Sequence, residues 1–117
     1  MKIPMERSEL LQGTLNLLIL RTLALGPMHG YGISQRLRQM TEGVFNVNVG
    51  TIFPALHKLE EQRLLKGNWG RTENNRRAKF YAITARGRRQ LQTEEEGWAR
   101  VVSAIGKVLD ATRVASS

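Results

Sequence analysis

The chain has 117 residues, a length that suits one hydrophobic core with an appendage rather than two separate cores. Hydrophobic residues make up 41% of it and charged residues 24%, which is typical of a folded chain and not of a disordered one. It contains no cysteine, and its two histidines lack the close spacing of zinc ligands, so we expect no disulfide, metal or cofactor. The net charge of +8 favours an anionic partner instead.

The sequence gives no sign of a membrane span or of a secretory signal. The apolar run from Leu15 to Leu25 is interrupted by Asn16, Arg21 and Thr22, so it reads as a buried helix. Residues 1–7 are followed by no short apolar region with a small-residue cleavage site. We therefore expect a cytoplasmic protein.

Basic residues are concentrated in the segment from residue 63 to residue 89, where Glu73 is the only acid. They are Arg63, Lys66, Arg71, Arg76, Arg77, Lys79, Arg86, Arg88 and Arg89. Charge alone leaves two interpretations open, a nucleic-acid surface or a solvated basic face with a general affinity for polyanions. The predicted architecture has to decide between them.

Two helices are predicted in the first third of the chain. Apolar residues recur at helical spacing from Ser8 to Leu25, and Gly26-Pro27 ends this helix because proline cannot continue it. The segment from His29 to Gly32 opens a second helix that runs to about Thr41. A connector from Glu42 to Val47 follows.

A third helix is predicted to begin after Asn48, whose side chain suits an N-cap. A wheel at 100° per residue places Val49, Ile52, Phe53, Leu56 and Leu59 on the inner side. The outer side carries Gly50, Thr51, Pro54, Lys58 and Glu61, with His57 at its margin. Small, polar and basic groups are what a DNA major groove admits, so this is the candidate recognition helix. Pro54 removes a hydrogen bond to the Gly50 carbonyl and predicts a kink or a tightened first turn.

A two-stranded wing with a basic tip is predicted next. Leu64–Trp69 and Lys79–Thr84 are β-compatible runs, and the glycine, asparagines and charges of Gly70–Ala78 form the hairpin loop. We expect Trp69 to serve packing rather than function.

The last predicted helix is capped by Thr84 and runs to about Ala111. Its apolar stripe is formed by Leu91, Trp98, Val101, Val102, Ile105, Val108 and Leu109. This stripe has no obvious cover within the protomer, which predicts a partner helix in a two-fold homodimer. The predicted division is residues 1–84 as a DNA-binding domain and residues 85–117 as a dimerisation helix with a tail.

The chain resembles the PadR family of regulators in four strings that occur in order. They are Leu11–Leu20 (LQGTLNLLIL), His29–Ile33 (HGYGI), Gly50–Glu61 (GTIFPALHKLEE) and Arg76–Gly87 (RRAKFYAITARG). The resemblance implies a mainly α winged helix-turn-helix fold with a small β-hairpin wing and a single long C-terminal dimerisation helix. It also implies a homodimer that represses transcription from a roughly palindromic operator in double-stranded DNA.

On this resemblance the DNA-binding residues fall into two groups. Those of the third helix are Thr51, Pro54 and Lys58, which enter the groove, and Gly50, which allows close backbone approach. His57 borders this face, and two interpretations stay open for it, a phosphate contact or a solvated histidine. Those of the wing are Arg76, Arg77 and Lys79, which hold phosphates. Two residues depart from the family pattern: Phe53 replaces a usual tyrosine, and Arg63 replaces a common glycine, so we expect the turn at Arg63 to avoid left-handed geometry.

Trp98 is the candidate ligand-binding residue, and two interpretations stay open for it. In some short PadR-like regulators a similarly placed tryptophan pairs across the dimer axis and stacks on planar ligands, so the resemblance suggests a small aromatic effector. The other interpretation is that Trp98 simply fills the dimer seam.

The sequence offers no support for an enzyme, since it shows no convergent carboxylate pair, no nucleophile with its base and no phosphate-cradling loop. The competing hypothesis is a non-specific nucleic-acid or protein-interaction module on the same fold.

Overall fold

The computed structural model describes residues 9–116, with side chains described for residues 14–113. The residues 1–7, for which we expect no secretory signal, and the predicted helix start at Ser8 lie outside the described residues. In chain order the elements are α1 (Glu9–Ala24), β1 (Met28–His29), α2 (Gly30–Met40), α3 (Val49–Glu61), β2 (Leu65–Arg71), β3 (Arg77–Ile83) and α4 (Ala85–Ser116). The predicted order of three helices, a hairpin and a long last helix is confirmed.

The short strand β1 was not predicted. It pairs antiparallel with β3, with Met28 opposite Tyr81 and His29 opposite Phe80, so that the sheet has the order β1-β3-β2. Two residues are too few for a periodic sequence signal, and only the pairing with a strand some fifty residues later defines them.

The core lies where α1, α2 and α3 meet the sheet. Its fully buried side chains include Ile19, Ile33, Leu56 and Tyr81. Leu91 of α4 also belongs to this core and is only 5% exposed. The first turns of α4 therefore pack with the helices that precede it, and α4 contacts α1.

Three side-chain caps fix where helices begin, and those at Asn48 and Thr84 were predicted. The His29 Nδ1 atom accepts a hydrogen bond of 3.0 Å from the Gly32 N–H at the start of α2. The Asn48 side chain caps α3, as predicted. The Thr84 hydroxyl accepts a bond of 2.9 Å from the Gly87 N–H at the start of α4. Each cap satisfies a backbone donor that the first helical turn leaves unpaired.

The turn between α3 and β2 corrects the expectation for Arg63, which has a left-handed φ of 63°. The Leu64 N–H donates to the Leu59 carbonyl at 3.0 Å, and the Arg63 N–H donates to the Glu60 carbonyl at 2.9 Å. These two bonds form a Schellman motif, which requires the residue after the Gln62 cap to turn left-handed. The expectation was wrong because this end of the helix keeps its geometry without glycine.

We predict that Arg63→Gly raises the free energy of unfolding by about 1 kcal/mol, since glycine carries no steric penalty at positive φ. Urea unfolding measures this change. Arg63→Gln is the matched control, because it removes the charge and keeps the Cβ atom. Equal stabilisation by both variants would attribute the gain to charge and contradict the backbone explanation.

Candidate nucleic-acid interface

One exposed face of α3 carries the residues that the sequence predicted for it. Gly50, Thr51, Pro54, His57 and Lys58 are all exposed, whereas the opposite side of α3 is buried in the core. The wheel therefore assigned these five residues correctly to the exposed surface.

Phe53 departs from the wheel, which placed it inside. It is 39% exposed and lies against the start of α2, where a Cβ atom added to Gly30 would come within 2.8 Å of the Phe53 ring. Its ring also lies 6.5 Å from that of His57, measured between centroids. Phe53 thus bridges α2 and the outer edge of α3, and its close packing depends on glycine at position 30.

The first turn of α3 holds Thr51 in a defined orientation. Its N–H and its hydroxyl both donate to the Asn48 Oδ1 atom, at 3.0 and 3.2 Å. The Asn48 carbonyl accepts bonds of 3.1 Å from the N–H groups of both Thr51 and Ile52, a sharing that is common at helix ends. Since Pro54 has no N–H, the carbonyl of the exposed Gly50 lacks its usual helical donor.

The wing spans Leu65 to Ile83, and each of its two strands has seven residues, one more than predicted. Its strands continue into the segment assigned to the loop, so that Arg71 pairs with Arg77. The remaining tip is closed by a 2.9 Å bond from the Asn75 N–H to the Thr72 carbonyl. The side chains of Arg76 and Arg77 are exposed at this tip.

Lys79 lies in the wing strand, but its ammonium group contacts α3. The Lys79 Nζ atom lies 2.8 Å from Glu60 Oε1, and Glu60 Oε2 accepts a 3.2 Å bond from the Gly67 N–H. The hydrogen bond from Lys79 holds the pKa of Glu60 below its ordinary value, and the same bond raises the pKa of Lys79. In this structure Lys79 therefore ties the wing to the recognition helix.

Trp69 does not pack into the protein as we expected. Its side chain is 62% exposed, and the Arg77 guanidinium carbon lies 4.5 Å from the centre of the indole ring. This cation–π contact holds an exposed arginine against a rigid flat surface of the wing. The alternation of side chains along a strand places both residues on one face of the hairpin.

The apolar stripe of α4 divides into two parts. Leu91 is buried within the protomer, which corrects the expectation that the whole stripe is uncovered. Trp98 is half-buried. Beyond it the stripe is exposed, with 46 to 63% of each side chain accessible, over Val101, Val102, Ile105, Val108 and Leu109.

No helix in the described part of the chain is long and apolar enough to cross a membrane.

Three helices, a β-hairpin wing beside the third helix and a long helix after it define a winged helix-turn-helix protein. A scan against family models matches residues 19–93 to the transcriptional regulator PadR-like family. The chain therefore belongs to the PadR-like family of transcriptional regulators. It is a DNA-binding regulator and not an enzyme.

Relatives agree with this assignment over most of the chain. A PadR family transcriptional regulator of Eggerthella lenta is 31% identical, covers 86% of each chain and superposes with a TM-score of 0.73. A transcriptional regulator of Clostridium thermocellum is 28% identical, with a TM-score of 0.77 and coverage of 86% of this chain and 97% of the other. Uncharacterized protein X of Lysinibacillus sphaericus is 29% identical over 97 residues, 83% of this chain and 89% of the relative.

Proposed function

We propose that the protein is a sequence-specific repressor that acts in the cytoplasm as a homodimer on a palindromic operator. The observation that carries this proposal is the exposed face of α3 with Thr51, Pro54 and Lys58, flanked by the cationic tip of the wing. A helix that presents small, polar and basic groups fits a major groove, and arginines beside it neutralise the adjacent phosphates.

Each residue of the interface has a proposed role that follows from its chemistry. Thr51 and Lys58 contact base edges or phosphates in the groove, while Gly50 and Pro54 let the backbone approach closely. His57 contacts a phosphate at the margin of α3. Arg76 and Arg77 hold phosphates from the wing tip. For Lys79 we retain a phosphate contact as a proposal, secondary to its ion pair with Glu60.

The homodimer is proposed from the exposed stripe of α4. Five large apolar side chains at helical spacing leave water when a second copy of the same helix covers them. We accordingly assign residues 1–84 to DNA binding and residues 85–117 to dimerisation, with the first turns of α4 anchored in the core. Such a dimer presents two recognition helices to half-sites about one helical turn, roughly 34 Å, apart.

The proposed function is tested by comparing Lys58→Ala with Arg77→Ala in gel shifts on the promoter of the protein's own or a neighbouring gene. Lys58→Ala is expected to lose about 1–3 kcal/mol of preference for that promoter over a scrambled duplex. Arg77→Ala is expected to weaken binding to both duplexes and to lower the salt slope by about one.

The same experiment addresses the alternative of a non-specific module. A wild-type protein that follows salt but binds promoter and scrambled DNA equally would exclude a sequence-specific repressor. An Arg77→Ala variant with the wild-type salt slope would exclude the phosphate contact from the wing.

We further propose that the repressor responds to a small aromatic effector stacked on Trp98. The half-buried indole stands at the beginning of the exposed stripe, so a dimer would bring two such rings towards one seam. In a Trp69→Phe background, which leaves Trp98 as the only tryptophan, a planar aromatic ligand is expected to quench fluorescence. Trp98→Ala is expected to lose ligand binding, seen by calorimetry, or dimerisation, seen by sedimentation; if neither changes, both roles are wrong.

A further inference from the structure

A cleft of about 900 Å³ lies between helix α2 and the tip of the wing. Arg36 and Gln39 line it from α2, and Arg71, Arg76 and Arg77 line it from the wing. The cleft exists because β1 is short: beyond the pairing of His29 with Phe80 the chain turns into α2, and the tip of the hairpin projects past it.

The cleft is strongly cationic. Its lining includes four arginines and a single acid, Glu73. Within the described residues none of these four arginines forms an ion pair, since the ion pairs there involve Arg21, Lys79 and Arg113. Arginines from two distant parts of the sequence therefore line one space without an acidic partner among the described side chains, although the Arg77 guanidinium lies against Trp69 and Arg71 Nη1 donates to the Asn75 carbonyl. Their positive charge raises the local potential for an anion.

Arg36 carries a buried hydrogen-bond donor that has no partner in the described part of the chain. Its Nη1 atom is shielded from solvent and has no hydrogen-bond partner among the described residues. A buried donor on a charged group is costly to leave unpaired, because it has lost water and gained nothing in exchange. An acceptor from outside the chain would satisfy the unpaired Arg36 donor. A phosphate suits this role, because its oxygens match the planar fork of the guanidinium group.

We propose that this cleft holds a phosphate of the DNA backbone, with Arg36 on one wall and the wing arginines on the other. The inference rests on the proposed function and extends the interface from α3 and the wing to helix α2, which that proposal leaves out. DNA is favoured over a free anion because the wing wall includes Arg76 and Arg77, which are exposed at the tip and which the proposed function already assigns to DNA phosphates. A backbone that passes the wing has its phosphates within reach of both walls.

The test compares Arg36→Gln with Arg38→Gln in the full-length protein, by titrating a random-sequence duplex at 50 and 200 mM salt. Arg38 is the matched control, because it lies on the same helix, is exposed and does not line the cleft. Losing one phosphate contact lowers the salt slope by about 0.9, so the affinity deficit of Arg36→Gln should be about 3.5-fold larger at 50 than at 200 mM. Arg38→Gln should keep the wild-type slope, and so should Arg36→Lys, which retains the charge.

Two results would overturn the inference. One is an Arg36→Gln variant whose slope equals that of the wild type, and the other is an Arg38→Gln variant that loses as much slope as Arg36→Gln. In the first case, inorganic phosphate that raises the melting temperature of the wild type but not of Arg36→Gln would assign the cleft to a free phosphate. The proposed function fails separately, when the wild type binds promoter and scrambled DNA equally.

Discussion

An Ile105→Asp substitution is expected to leave the protein monomeric at micromolar concentration. Ile105 lies in the middle of the exposed stripe of α4 and is 52% exposed in the protomer. In the proposed dimer its side chain is covered, so the substitution buries a carboxylate in each subunit among valine and leucine side chains. Because an unpaired charge in an apolar seam is strongly unfavourable, we expect a loss of about 3 kcal/mol, or about 100-fold in the dissociation constant.

The matched control is Ser103→Asp, which introduces the same charge two residues away. At 100° per residue Ser103 lies about 160° around the helix from Ile105, so it faces away from the stripe. Sedimentation equilibrium should show a monomer for Ile105→Asp and the wild-type state for Ser103→Asp. If the Ile105→Asp protein is still a dimer, the exposed stripe of α4 does not form the dimer interface.

Operator binding provides a second readout of the same pair. A monomer presents one recognition helix, so Ile105→Asp should lose binding to a promoter with two half-sites while retaining weak binding that depends on salt. Equal operator affinity in both variants would show that the dimer is not required for recognition. This result would leave the proposed DNA contacts of α3 unchanged and would contradict only the requirement for a dimer.

Features whose physical cause lies within a few residues were predictable from the sequence. The Asn48 and Thr84 caps each depend on a hydrogen bond three residues along the chain, and both are present. The burial of Ile52, Leu56 and Leu59 follows from helical periodicity alone. The same periodicity placed the predicted DNA-contacting residues of α3 on the exposed side.

Features that depend on distant partners were missed. The sequence predicted a phosphate contact for Lys79 and did not indicate its ion pair with Glu60, which lies 19 residues earlier in the chain. Trp69 was expected to serve packing, but it is 62% exposed and contacts Arg77 of the neighbouring strand. The unpaired Arg36 donor could not be foreseen, because α2 periodicity places Arg36 at the margin of the buried face without saying what lies opposite.

Gly87→Ala is expected to lower the free energy of unfolding by about 3 kcal/mol, the upper end of the usual overpacking cost. A Cβ atom at this position would lie 2.2 Å from the Leu64 carbonyl oxygen and 2.8 Å from the Ile83 Cγ1 atom. The oxygen cannot retreat freely, since it accepts a bond of 3.1 Å from the Thr84 N–H. The Thr84 hydroxyl, which donates at 2.8 Å to the Arg63 carbonyl, also lies 3.1 Å from it. Thermal unfolding should show a drop in Tm of roughly 10–20 °C.

Gly106→Ala separates close packing from helix propensity, because nothing lies within 4 Å of a Cβ atom at Gly106 and alanine favours a helix by up to about 1 kcal/mol. Gly106→Ala should be neutral or stabilising, and a similar loss of stability in both variants would contradict a tight contact at Gly87.

Gly87 also packs the start of α4 against the end of the α3–β2 turn. A shift there would move the dimerisation helix relative to the recognition helix, so Gly87→Ala should weaken operator binding more than binding to a single half-site.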